Sequence, residues 1–247
     1  MRVAAVIPWR GGQPDRERHH QRVRAHLRQL LPDAIHIDAD SGHRPFSRAG
    51  SRNLGVELAR NAGADIVVLC DADTLVQPEP LYAAINAAQD QVLHLPFTRW
   101  LGLSRAGLRA YENGTPLHKC ETEYTFDNAT GSVLVITPAA WWRAGGMDER
   151  YRGWGMEDVA FRCAADTLLG PTIRHDGTAH HLWHPITWSP HTPEYQHNAA
   201  LLERYMQVTG NPAGMRALIT EDETARERLA AYEGGRIGHA QAHLKHR

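Results

Sequence analysis

The sequence is short of the features that mark disulfide-built, membrane-spanning or strongly charged proteins. Its three cysteines, Cys70, Cys120 and Cys163, lie far apart with no Cys-x-x-Cys pair, and an odd count argues against a disulfide scaffold. A reducing, cytoplasmic setting is the expectation. No apolar run reaches membrane-spanning length, and the first, Val3 to Pro8, is also too short for the core of a signal peptide. Excess charge is missing as well: 27 Lys plus Arg face 28 Asp plus Glu, so no whole-chain field draws the protein onto nucleic acid or anionic lipid. The basic stretches 16–28 and 226–247 include acidic residues and read as solvated helix faces, which leaves nucleic acid a weakly supported partner. Repeats and low-complexity blocks are absent. Histidine is plentiful, with 16 residues, so potential metal ligands are many and most must be ordinary surface positions.

At 247 residues the chain fits one large α/β domain, assigned to residues 1–190, followed by a helical C-terminal extension and tail over 191–247. The apolar run Val3 to Ile7 stops at Pro8 and predicts a strand buried on both faces. Val23, Leu27, Leu30 and Leu31 form one stripe of a helix that begins near Pro14. A short strand at Ala34 to Asp38, a helix at Ala49 to Ala62 ended by Gly63, and a third strand at Asp65 to Cys70 continue the alternation. Such alternation implies a mostly parallel, Rossmann-related central sheet flanked by helices, with ligands beyond the carboxyl ends of its strands.

Further on, helices are expected at Leu81 to Ala88, Pro138 to Arg143, Met156 to Leu168, Glu194 to Val208 and Glu221 to Tyr232, and strands at Val92 to Leu95 and Ser132 to Ile136. Phe97 to Asn128 is too rich in turn and polar residues to assign. Acceptor contacts are expected in that stretch, where Phe97, Trp100, Tyr111, Tyr124 and Phe126 suit either sugar stacking or packing onto the core.

Two acidic stations carry the chemistry. Asp71-Ala72-Asp73 directly follows the buried run Ile66 to Cys70, and two carboxylates one residue apart on a turn can reach a divalent cation whose other positions take diphosphate oxygens. The same residues also suit turn and helix capping, and local sequence does not separate the two. Glu157-Asp158, after Gly153-Trp154-Gly155-Met156, opens a helix, where carboxylates either cap or supply a base.

Three motifs in order bear a family resemblance. Ile7-Pro8-Trp9-Arg10, the stretch Phe46-Ser47-Arg48-Ala49-Gly50-Ser51-Arg52-Asn53-Leu54-Gly55 leading to Asp-Ala-Asp, and the segment Gly145 to Asp158 resemble the beta-1,4-galactosyltransferase family and its bacterial relatives among GT-A glycosyltransferases. The likeness covers residues 3 to about 185.

It implies a metal-dependent, hexosyltransferase-type enzyme that moves a sugar from a nucleotide diphosphate donor, expected to be a UDP-sugar with manganese or magnesium, onto a hydroxyl acceptor such as a glycan or other glycoconjugate. Inversion at the anomeric carbon is expected. By the same resemblance Pro8, Trp9 and Arg10 lie against the donor nucleotide and Arg48 near its phosphates. Asp73 is the principal metal ligand with Asp71 beside it, Trp154 walls the sugar site, Glu157 meets sugar hydroxyls and Asp158 deprotonates the acceptor. A downstream histidine completes the metal shell; His181 and His184 both fit, with His181 favoured. Ala72 and Val159 depart from the family's pattern, so sugar and acceptor are not carried over. The alternatives are a sugar-phosphate nucleotidyltransferase, for which only Gly11-Gly12 speaks, and a non-catalytic nucleotide-sugar-binding module.

Overall fold

The computed structural model describes residues 1–185, 189–223, 225–227 and 230. Its centre is a six-stranded sheet in the order β2-β1-β3-β8-β5-β9. The strands are β1 (Val3–Pro8), β2 (Ile35–Ala39), β3 (Ile66–Cys70), β5 (His94–Leu95), β8 (Val133–Ile136) and β9 (Ile173–Arg174). β1 pairs in parallel with β2 and β3, as strands joined through crossover helices must, whereas β8 runs antiparallel to both β3 and β5. All five residues of β3 are buried, matching its unbroken Ile-Val-Val-Leu-Cys run.

The crossover helices are α1 (Pro14–Leu30), with Pro at its first turn, and α2 (Arg48–Asn61), capped where the Ser47 hydroxyl accepts from the Gly50 amide. α2 lies close to the sheet because it is built of small residues; a Cβ added to Gly55 would sit 2.2 Å from Val6 Cγ1. Next come α3 (Pro78–Ala87), α4 (Arg105–Glu112), α5 (Pro138–Arg143) and α6 (Glu157–Leu168). α3 starts at Pro78, three residues ahead of the expected Leu81, since Pro is favoured in a first turn.

A second sheet was not legible in the sequence. Its order is β4-β10-β6-β7, from β4 (Thr74–Val76), β6 (Arg99–Leu103), β7 (Thr122–Asp127) and β10 (Thr178–His181). The unassigned stretch 97–128 supplies the antiparallel pair β6 and β7, with α4 between them. β7 is exposed along its length, so it carries no buried stripe from which a strand could be read. Phe97 is fully buried, which makes it a core residue and not a stacking surface.

The segment after residue 190 forms α7 (Pro193–Gln207) and α8 (Pro212–Ile219), the latter unanticipated by the sequence reading. Leu201, Tyr205, Met215, Leu218 and Ile219 pack with Ala160, Cys163 and Ala164 of α6 in a cluster beside the main core. Part of the helix expected over 221–232, and all of the tail from 231 onward, lies outside the described residues. Among the described residues no helix is long and apolar enough to cross a membrane.

Candidate active site

The strand-end loops open onto a cleft of about 550 Å³. Pro8, Trp9, Arg10, Arg48, Asp71, Asp73 and Trp154 all line it, so residues expected along the donor come together from four separate loops.

Asp73 follows β3 by a turn in which the Thr74 amide donates to the Asp71 carbonyl at 3.2 Å, and β4 then pairs antiparallel with β10. That pairing sets His181 opposite Thr74, and the Leu182 amide donates to the Asp73 carbonyl at 2.7 Å. The result is a triad. His181 Nε2 lies 3.6 Å from Asp73 Oδ1 and His184 Nε2 lies 3.5 Å from Asp73 Oδ2, with one ligand atom from each residue all within 4.8 Å of one another. One carboxylate oxygen and two imidazole nitrogens form a mixed oxygen and nitrogen donor set able to hold a first-row divalent cation.

Burial alone would raise the Asp73 carboxyl, but His181, His184 and Arg16 outweigh it and hold the group well below the usual range. His181 is shifted down by burial against the pull of Asp73, which favours the neutral ligand form, whereas His184 is raised by its contact with Asp73. Both histidines therefore meet the same carboxylate.

Asp71 lines the same cleft but is held by an arginine. Arg52 Nη2 donates to its Oδ1 at 2.5 Å, while Arg52 Nη1 lies 3.3 Å from Glu157 Oε1. Arg48 Nε stands 2.8 Å from the same Glu157 oxygen, and Arg48 Nη2 donates to Oε2 at 3.3 Å. Glu157 thus turns both oxygens to arginines one helical turn apart on α2 rather than into the cleft. Burial would raise its carboxyl, and Arg48 and Arg52 more than offset that, keeping it ionised.

Asp158 has the opposite balance. Burial first, and Glu157 second, push its pKa up to about 6 against Arg52 and Arg48. Its Oδ1 accepts from the Val159 amide at 2.8 Å, and a Cβ added to Gly131 would fall 2.0 Å from its Oδ2. The glycine leaves the space that this carboxylate fills.

Asn53 fixes the loop ahead of α6. Its Nδ2 donates to the Met147 carbonyl at 2.7 Å and Glu149 Oε1 at 2.9 Å, and its Oδ1 accepts from Trp141 Nε1 at 3.0 Å and the Met147 amide at 2.9 Å. The Asn-x-Gly of α2 and the Gly-Gly-Met-Asp-Glu segment are therefore one structural unit.

Sequence reasoning missed four side chains here. Arg52 had one signal, a charge four residues from Arg48 in a helix otherwise built of small residues on that face. Arg16, whose Nη2 donates to Asp73 Oδ2 at 3.2 Å, looked like any solvated helix arginine. His20 stacks on Trp9 with centroids 4.4 Å apart and contacts Asp38 Oδ1 at 2.9 Å. His19 is buried near the triad and its pKa falls to about 4, mainly through desolvation. Of the aromatic residues in 97–128, Trp100 lies 5.0 Å from the His181 ring and 5.6 Å from Phe126, Tyr111 is half-buried, and Tyr124 and Phe126 are exposed.

Comparison with known proteins bears on the fold. Residues 114–163 match the family model described as the N-terminal domain of galactosyltransferase. No curated protein sequence matches the chain. Among solved structures, the catalytic domain of Drosophila beta-1,4-galactosyltransferase 7 in complex with xylobiose aligns with a TM-score of 0.54 and 19% identity, over 80% of this chain and 79% of that one. GalNAc-T7 with UDP, GalNAc and Mn²⁺ gives 0.53 and 13% over 90% of this chain and 55% of that one; S. aureus TarS 1-349 gives 0.51 and 11% over 91% and 71%. The chain has the GT-A glycosyltransferase fold. The chain spans 64% of the length of a second Drosophila beta-1,4-galactosyltransferase 7 structure, less than two thirds of it. Within the GT-A fold the cleft lies beyond the strand ends, where open α/β sheets bind ligands.

Proposed function

We propose that the protein is a metal-dependent, hexosyltransferase-type glycosyltransferase that transfers a sugar from a UDP-sugar to a hydroxyl acceptor with inversion, the acceptor being a glycan or other glycoconjugate. The observation that carries this reading is the Asp73, His181 and His184 triad at the edge of a cleft that also holds Trp9, Arg10, Arg48 and Trp154. GalNAc-T7, of the same fold, was solved with UDP, GalNAc and Mn²⁺.

In this reading Asp73, His181 and His184 hold the cation, which when bound neutralises the charge that develops on the departing diphosphate. Trp9 takes the nucleobase side of the donor, with Arg10 and Pro8 beside it. Asp158 removes the proton from the acceptor hydroxyl as that oxygen bonds to the anomeric carbon and the bond from carbon to diphosphate oxygen breaks. A carboxylate with a pKa near 6 is ionised at neutral pH and still basic enough to take that proton. Asp71 and Glu157 act through Arg52 and Arg48: they fix the guanidinium groups, and Arg48 stands at the cleft wall to meet the phosphates. Acceptor contacts are placed on the exposed Tyr124 and Phe126 of β7.

Calorimetry of UDP binding with and without manganese tests the first half of the reading, and release of UDP from a UDP-sugar tests the second. Equal UDP affinity in manganese and in EDTA would sink the metal-dependent donor site.

A further inference from the structure

The first turns of α7 form one side of the cleft, with chemistry suited to neither a diphosphate nor a cation. Asn198 of α7 is 1% exposed and holds the turn that carries Trp154. Its Nδ2 donates to the carbonyl oxygens of Arg152 at 2.7 Å, Trp154 at 3.3 Å and Gly155 at 3.3 Å, and its Oδ1 accepts from the Arg152 amide at 3.3 Å. The turn needs such a partner, because Gly153, Gly155 and Met156 have φ of 68°, 94° and 80°, a left-handed path that no regular ladder satisfies. The α7 helix therefore decides where Trp154 stands.

Trp154 is 43% exposed, and its ring is nearly parallel to that of Tyr195, at 6° with centroids 6.3 Å apart. At that separation the two offset rings present adjoining faces. Glu194 lines the cleft beside them, and its carboxylate makes no hydrogen bond or ion pair among the described residues. Flat aromatic faces suit the C–H side of a pyranose, and a neighbouring carboxylate accepts from its hydroxyls while repelling phosphate.

We propose that Glu194, Tyr195 and Trp154 form a subsite for a neutral pyranose ring, with Asn198 as the positioning residue that holds its Trp154 face. This rests on the glycosyltransferase reading and deepens it: the helix beyond residue 190 becomes part of sugar recognition. The ring has two sources, the donor sugar and the acceptor, and both present the same chemistry.

The test is calorimetry on the full chain at saturating manganese. One arm compares UDP with UDP-galactose, UDP-glucose and UDP-N-acetylgalactosamine; the other titrates xylobiose and lactose into the protein saturated with UDP. In the wild type at least one sugar is expected to bind, either strengthening a nucleotide over UDP or adding to the UDP complex. Tyr195→Ala and Glu194→Gln should each weaken that sugar-dependent binding about tenfold and leave UDP affinity unchanged. A loss confined to nucleotide sugars assigns the donor ring, and a loss confined to the saccharides assigns the acceptor ring. Asn198→Asp, which keeps the acceptor oxygen and loses the donors, should lower sugar binding while UDP binding persists. No sugar-dependent binding in the wild type, or binding unchanged in both the Tyr195 and Glu194 variants, overturns the subsite. Failure of the wild type to bind UDP with manganese would instead remove the parent reading.

Discussion

The Arg52 guanidinium, 3% exposed, donates to the Asp71 carboxylate at 2.5 Å and so ties the first acidic station to the second. Asp71 and Glu157 share this one buried cation, an arrangement that planar guanidinium geometry permits and an ammonium does not. Arg52→Met should therefore leave two carboxylates short of a partner and destabilise the fold by about 3–5 kcal/mol, the usual cost of breaking a buried pair from one side. Arg52→Lys should recover only part of it. Urea unfolding measures both, and a loss within error of zero for the Met variant would show the network to be dispensable.

Among the described residues Asp73 is the one carboxylate met by both triad histidines and by Arg16. Asp73→Ala should lower manganese-dependent UDP affinity at least about tenfold, whereas Asp71→Asn, away from the triad, should lower it less. Calorimetry in manganese and in EDTA separates the two variants. If Asp71→Asn proves the more damaging, the cation is held at Asp71 and not at the triad.

Asp158 should impose a pH dependence. A base must be ionised, so sugar transfer should rise as pH passes about 6 and level off above it. Asp158→Asn should cut turnover about a hundredfold or more and abolish that rise, with UDP binding retained. Stability has the opposite sign. A carboxyl whose folded pKa is raised from 3.8 to about 6 favours the folded state most when protonated, and that contribution is lost as pH climbs from 3.8 through about 6. The Asn variant should consequently melt no lower than the wild type at pH 7. Near-normal turnover would leave Asp158 a capping residue.

Gly55 offers a test of packing away from the chemistry. An added Cβ would lie 2.2 Å from Val6 Cγ1 and 3.3 Å from the Ala39 Cβ, in a core that cannot yield at both points. Gly55→Ala should cost about 1–3 kcal/mol by overpacking, despite the better helix propensity of Ala. A thermal midpoint equal to the wild type would mean that α2 can ride off the sheet.

Much of the first half of the fold was legible because its signals are local. The run ending at Pro8, the stripe on α1, the Gly63 stop after α2 and the apolar β3 each declare an element within a few residues. The second sheet gave no such signal, since β4 has three residues and β7 is exposed throughout. Its pairings join residues 74–76 to 178–181 and 99–103 to 122–127, contacts that no window of sequence contains.

The sequence by itself determined the reactive residue types and the strand ends that carry them: Asp71 and Asp73 beyond a buried strand, Glu157 and Asp158 at a helix start, histidines near residue 181. Tertiary structure decided which of these meet. The antiparallel register of β4 with β10 sets His181 beside Asp73 and turns His180 into the core; because side chains alternate along a strand, a slip of one residue would exchange them. Likewise α2 brings Arg52 between the loop after β3 and the first residue of α6, which gives it both Asp71 and Glu157. Charge partners are chosen by distance in space, and in this chain that distance is set by strand register and helix packing between residues more than a hundred positions apart.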